Sequence, residues 1–204
     1  KPILRLNADE LQKMLELSQT GENMTKGQAK FHKLTAARDY AMLSLFLGTG
    51  IRVSECVGLD VEDVDFKNNR IRIIRKGGKE DFVYFGDEVA EALFNYMEQR
   101  KHIVTKEEHE HALFLSAQKR RICVQSVENL VTDCASQITS IKHITPHKLR
   151  STYGTSLYRE TSDIYLVAEV LGHNDVNTTR KHYAALGEDR KRMAAKAVSL
   201  RKEK

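Results

Sequence analysis

The chain has 204 residues, 41% apolar and 30% charged, enough to bury one sizeable core or two small ones, which excludes a disordered chain. Its net charge of +5 points mildly toward a polyanion partner. No apolar run reaches membrane-spanning length, no signal peptide opens the chain, and Cys56, Cys123 and Cys134 lack metal or redox spacing, so ordinary thiols in a reducing, cytoplasmic setting are expected.

The abrupt start at Lys1-Pro2 reads as a domain cut from a longer protein. Asn7 is a helix cap with Glu10 three residues on, and Leu11, Met14, Leu15 and Leu17 give the helix to about Gln19 its apolar face. Residues 21–30 are polar and read as a loop. Phe31 to Leu47 reads as a helix with Leu34, Ala37, Ala41, Leu45 and Phe46 inward, broken sharply by Gly48-Thr49-Gly50. Val53 to Leu59 is a short helix. Arg70 to Lys76 and Asp81 to Phe85 form a β-hairpin around Gly77-Gly78-Lys79-Glu80, and Val61 to Phe66 can add a third strand. Asp87 to about Lys101 is an amphipathic helix with Val89, Leu93, Tyr96 and Met97 on one side. A charged loop over 106–111 and a short buried segment over 112–115 follow. Val124 to Ile138 is helical, with Val127, Leu130, Val131 and Cys134 inward.

Thr145 and Pro146 suit the cap and first position of the next helix, which sets His147 and Arg150 three apart in its first turns. The helix dipole and open N–H groups there favour an anion. Asp163 to Leu171 is a further helix, ended by Gly172, so His173 follows directly on a helix end. A second short helix can start after Asn174 or Asp175 and carry Tyr183. Residues 188–204 form a basic helical tail. Helices dominate around one small antiparallel sheet, so the expected class is α+β, mostly α.

Taken singly, the chemistry-bearing residues have plain explanations. Arg52 can form a surface ion pair with Glu55, three residues on. Lys76 and Lys79 can be solvated turn residues, although a hairpin lysine can also donate a proton to a leaving oxygen. His173 can simply face a helix dipole, and Tyr183 can be half-buried core. His102, His109 and His111 have no metal-ligand spacing, and Gly77-Gly78 is no P-loop, so neither metal nor nucleotide is expected. Read together, Arg150, the two histidines and Tyr183 suit a phosphodiester.

The set Gly-Thr-Gly-Ile-Arg-Val-Ser-Glu (48–55), His-Lys-Leu-Arg (147–150), Leu-Gly-His (171–173) and Tyr183 resembles the tyrosine recombinase, or phage-type integrase, family over nearly the whole chain. The resemblance implies the family's helical catalytic domain over residues 1–187, with 188–204 as a tail able to pack on a neighbouring copy, and without the family's N-terminal DNA-clamping domain. It implies that Arg52 and Arg150 bind the scissile phosphate, with Glu55 supporting Arg52. His147 and His173 would be the active-site histidines, Tyr183 the nucleophile and Lys76 the proton donor to the leaving group, with Lys79 the alternative.

The implied activity is site-specific DNA recombination through a covalent 3′-phosphotyrosine, without metal, ATP or other cofactor. The implied partners are double-stranded DNA and further copies of the chain in a tetrameric synaptic complex, in a bacterial or phage-encoded setting. A type IB topoisomerase-like relaxase and a non-catalytic DNA-binding module of the same fold are the alternatives.

Overall fold

The computed structural model describes residues 5–22, 26–75, 77–173, 176, 177 and 179. The chain divides into two units, residues 2–153 and the segment from Gly154 onward. In the first, α1 (Ala8–Thr20) opens with the expected capping box: Asn7 Oδ1 accepts from Glu10 N–H, and Glu10 Oε2 accepts from Asn7 N–H, at 2.8 and 2.7 Å. Gly21, at φ +66°, ends it in the left-handed conformation that glycine adopts without strain.

The long helix α2 (Lys26–Thr49) is the axis of the first unit. Met42, Leu43, Leu45 and Phe46 are wholly buried and every residue over 41–47 is buried, so this stretch is covered on every side, as an all-round apolar stretch of helix must be. The helix starts five residues earlier than its apolar period indicates. Leu34, expected inward, is 76% exposed and Phe31 is 60% exposed. Both line an open cleft of about 150 Å³ together with Arg38, Tyr96, Ile103 and Leu115.

The short helix α3 (Val53–Gly58) follows. A 3-10 turn over Val61–Asp63 leads into a three-stranded antiparallel sheet, β1 (Val64–Asp65), β2 (Arg70–Ile74) and β3 (Glu80–Tyr84), in that order. The register pairs Ile71 with Val83 and Ile73 with Asp81. Ile71, Ile73 and Val83 face the core, while Arg72, Ile74, Phe82 and Tyr84 face outward. β1 is shorter than the expected 61–66 strand, because Asp63 Oδ2 accepts from Asp60 N–H at 2.8 Å and closes the local turn instead.

Helix α4 (Asp87–Arg100) packs on α2 and buries Val89, Ala92, Leu93 and Tyr96, with Met97 partly buried. A Cβ at Gly48 would stand 2.5 Å from Val89 Cγ2, so this close approach requires glycine. The segment 112–115 bends between single bridges, Asp60–Ala112 and Leu115–Arg121, and all four of its residues are buried. Helix α5 (Val124–Ser136) buries Val127, Val131 and Cys134, and helix α6 (Pro146–Thr161) begins where Thr145 and Pro146 place it.

Lys142 closes this unit onto its first helix. Its Nζ donates to Glu10 Oε2 at 2.6 Å, Glu10 Oε1 at 2.8 Å and Arg5 O at 3.1 Å. Burial pulls the Glu10 carboxyl upward, but the bonds from Lys142 and Asn7 prevail and hold it below the usual carboxylate range. A carboxyl with a depressed folded-state pKa stabilises above its unfolded value of about 4.3 and loses that contribution as pH falls through the folded value. Lys142→Met is therefore expected to cost about 1–2 kcal/mol near pH 7. In thermal denaturation its gap to the unmodified chain should shrink below about pH 4; an equal gap at pH 3 and pH 7 would refute the ion pair's part in it.

In the second unit, Asp163 Oδ1 accepts from Tyr165 and Leu166 N–H and caps α7 (Ile164–Val170). Gly172, at φ +58°, stops it as expected. Val176, Asn177 and Thr179 are helical. The tail over 188–204 lies outside the described residues. The architecture is the expected one, mostly helical with one small antiparallel sheet.

Candidate active site

The first element of the site is the exit from α2. Thr49 Oγ1 donates to Leu45 O at 2.6 Å and accepts from Ile51 N–H at 3.2 Å, while Gly50 N–H donates to Phe46 O at 3.0 Å. Gly50 takes φ +66°, a left-handed turn that ends the helix, and Ile51 after it is buried. Arg52 is thereby set at the cap of α3 with extended backbone.

Glu55, three residues on, accepts from Arg52 twice: from the backbone N–H and from Nη1, each at 2.9 Å. The ion pair foreseen as a plain surface contact is thus half inside. The Glu55 side chain is 4% exposed, whereas that of Arg52 is 37% exposed. One end of the guanidinium is gripped and the residue remains open to solvent, a suitable posture for a group that must meet an incoming anion.

Arg75 is the member that sequence reasoning missed. Its Nη1 donates to the same Glu55 Oε1 at 3.2 Å and its Nε to Asp81 Oδ2 at 3.1 Å. The strand alternation carried the signal: Ile71 and Ile73 point inward, and Arg75 is the next residue in that register. Burial raises the Asp81 carboxyl, but Phe82 N–H and the Arg75 guanidinium outweigh it, and the group lies below the usual carboxylate range.

Arg150 arrives from α6, 100 residues from Gly50 in sequence, and its Nη1 donates to Gly50 O. It is 6% exposed. The fold therefore brings Arg150 to the turn that presents Arg52. Three guanidiniums (Arg52, Arg75, Arg150) meet two carboxylates (Glu55, Asp81) in this neighbourhood, a surplus of positive charge that favours an anion. His147 stands in the first turn of the same helix and is exposed, its carbonyl accepting from Ser151 Oγ at 3.2 Å.

The hairpin turn adds Lys79, exposed, whose carbonyl accepts from Arg75 N–H at 2.8 Å. Lys76 lies outside the described residues. In the second unit, His173 N–H donates to Ala168 O at 2.9 Å, and its Nδ1 shares a 2.6 Å hydrogen bond with the hydroxyl of Thr179. Thr179 is fully buried, so it fixes the ring; no spacing in the sequence pointed to this partner. Tyr183 lies outside the described residues.

Two of the three thiols are poorly placed as nucleophiles. Burial pushes the Cys56 thiol far up and that of Cys134 up to about 12, with the nearby carboxylates adding to it. Burial likewise raises the Tyr153 phenol. Among the described residues no group of three or more His, Cys, Asp or Glu gathers as a metal site, and His111 instead shares a 2.8 Å hydrogen bond with Glu62.

The phage integrase family model matches residues 5–190. Tyrosine recombinase XerC of Corynebacterium glutamicum is 34% identical over 171 residues, covering 84% of this chain and 54% of its own length. Tyrosine recombinase XerD of Staphylococcus epidermidis is 36% identical over 143 residues, covering 70% and 48%. The chain spans about half the length of these relatives. Among solved structures, XerA recombinase superposes with a TM-score of 0.78 at 27% identity, covering 95% of this chain and 66% of that one. The post-cleavage complex of XerH site-specific recombinase with a palindromic difH substrate gives 0.75 at 26% identity, covering 96% and 53%.

Proposed function

Because the chain belongs to the phage integrase family, we propose that it is the catalytic part of a site-specific DNA recombinase, cutting and rejoining duplex DNA through a covalent 3′-phosphotyrosine. The observation that carries this reading is the junction of Arg150 with the Gly50–Arg52 turn, braced by Glu55. Two guanidiniums reaching one turn from distant parts of the sequence suit the non-bridging oxygens of a phosphodiester.

In the proposed reaction the Tyr183 hydroxyl attacks phosphorus, a tyrosyl O–P bond forms and the P–O5′ bond breaks. His147 and His173 manage the proton of the attacking phenol and steady the phosphate. Lys76, or Lys79 in its place, gives a proton to the departing 5′-oxygen. Arg52 and Arg150 stabilise the charge gathering on the phosphate, and no metal or ATP enters, since the protein–DNA bond conserves the energy of the broken one. Residues 1–187 form the catalytic domain in this reading. The tail over 188–204 packs on a neighbouring copy in a DNA-bound tetramer, in the cytoplasm of a bacterium or the host of a phage.

The deciding experiment is covalent trapping. The chain is mixed, in excess chelator and without nucleotide, with a pool of nicked duplexes of randomised sequence, and denaturant-resistant protein–DNA adducts are recovered. A metal-independent adduct is expected. Duplex binding without adduct would mark a non-catalytic module, and absence of duplex binding would reject the reading altogether; in a parallel assay on supercoiled plasmid, relaxation without recombinant products would favour a relaxase.

A further inference from the structure

We propose that Arg75 is a positioning residue that locks the β2–β3 turn onto the carboxylate holding Arg52, and so sets the proton donor of that turn. This rests on the enzymatic reading above. The turn has little to hold it by itself. Gly77 and Gly78 take φ +87° and +78°, and a Cβ at either would meet nothing within 4 Å. What fixes the turn lies at its base. Arg75 N–H donates to Lys79 O at 2.8 Å and Gly78 N–H donates to Arg75 O at 3.0 Å, closing the loop on Arg75 itself.

The Arg75 side chain, 11% exposed, then reaches in two directions. Through Nε it holds Asp81 on β3, and through Nη1 it holds Glu55 on α3. One planar guanidinium therefore joins both strands of the hairpin to the helix that begins at Arg52, with Glu55 Oε1 shared between the two arginines. A lysine in this position has a single ammonium on a flexible stem and cannot reproduce the fork. Both candidate donors, Lys76 and Lys79, flank the two glycines in sequence. A proton donor misplaced by about 1 Å loses most of its effect, so the anchor at Arg75 governs the protonation step.

That assignment has a chemical signature. When the P–O5′ bond breaks, the leaving oxygen takes the lysine proton. If a sulfur replaces the bridging 5′-oxygen, the leaving group departs as a thiolate, whose conjugate acid has a pKa near 8.5, and needs no proton. A fault confined to the proton donor vanishes on the sulfur substrate; a fault in phosphate binding does not.

The probe is the duplex most enriched among adducts trapped by the unmodified chain, synthesised with oxygen and with sulfur at the bridging 5′ position. Arg75→Met, which keeps the stem and removes the fork, is expected to cleave the oxygen substrate about 30-fold or more slowly. On the sulfur substrate it should come within about threefold of the unmodified chain. Asp81→Asn should show the same pattern with a smaller loss, and it carries the test if Arg75→Met does not fold, since Asp81 is 45% exposed and the change is isosteric. Equal slowing on both substrates, or no slowing on either, overturns the proposal. Failure of the unmodified chain to trap any duplex would instead reject the enzymatic reading, before any variant is compared.

Discussion

Tyr183→Phe is expected to abolish the covalent adduct while leaving duplex affinity within about twofold. The variant keeps the aromatic ring and loses only the oxygen that must bond to phosphorus, so no weakened nucleophile remains in its place. Duplex affinity comes from cationic contacts to many phosphates, which the change does not touch. Three of the other tyrosines, Tyr96, Tyr153 and Tyr158, are poor substitutes. Tyr96 and Tyr158 are buried at 3% and 7% exposure, and burial raises the Tyr96 and Tyr153 phenols, which makes each a weaker source of phenolate. Tyr84 and Tyr165 are exposed, on β3 and α7, and would report themselves if they reacted. Gel analysis under denaturing conditions followed by peptide mapping decides the matter: an undiminished adduct in Tyr183→Phe would move the nucleophile to whichever tyrosine carries the nucleotide.

Local chemistry was legible wherever one short stretch determines the outcome. Asn7 with Glu10 gave the start of α1, the Gly77-Gly78 pair gave the hairpin, and Gly172 gave the end of α7. What depends on packing was less legible. The period of α2 puts Leu34 on the same face as Ala41 and Leu45, yet that face reaches the core only from its middle turns; near the start the same stripe lines a cleft. The turns before Phe31 are polar and contain Gly27, a poor helix former, and are helical because a long helix propagates from its packed half at little cost. The site divides along the same line. Arg52 and Glu55 form a contact three residues apart that could be read directly. The partnership of Arg75 with Glu55 spans 20 residues and that of Arg150 with Gly50 spans 100. Neither leaves a local spacing to find, and in the sequence only the family resemblance relates Arg150 to Arg52.

Arg150→Ala and Arg52→Ala should each slow cleavage about 10²–10³-fold, the usual loss when one preorganised donor is removed from a phosphate or oxyanion site. They should differ in stability, and that difference tests how the site is built. Arg52 is the more exposed partner of its pair, and Glu55 keeps Arg75 when Arg52 is removed. Its melting temperature should stay within about 2 °C of the unmodified chain, as expected for a pair whose exposed member contributes little. Arg150 is 6% exposed and donates to Gly50 O across 100 residues. Its removal leaves a carbonyl of the sharp α2–α3 turn without that donor and opens space beside the buried Leu149, costing about 1–3 kcal/mol, or roughly 3–10 °C for a chain of this size. Arg150→Lys should recover part of the stability and little of the rate, because an ammonium restores the charge but not the paired donors. Single-turnover cleavage beside thermal denaturation measures both quantities. An Arg150→Ala chain that melts like the unmodified one, or that retains more than a tenth of its cleavage rate, would show that this guanidinium neither braces the turn nor meets the phosphate.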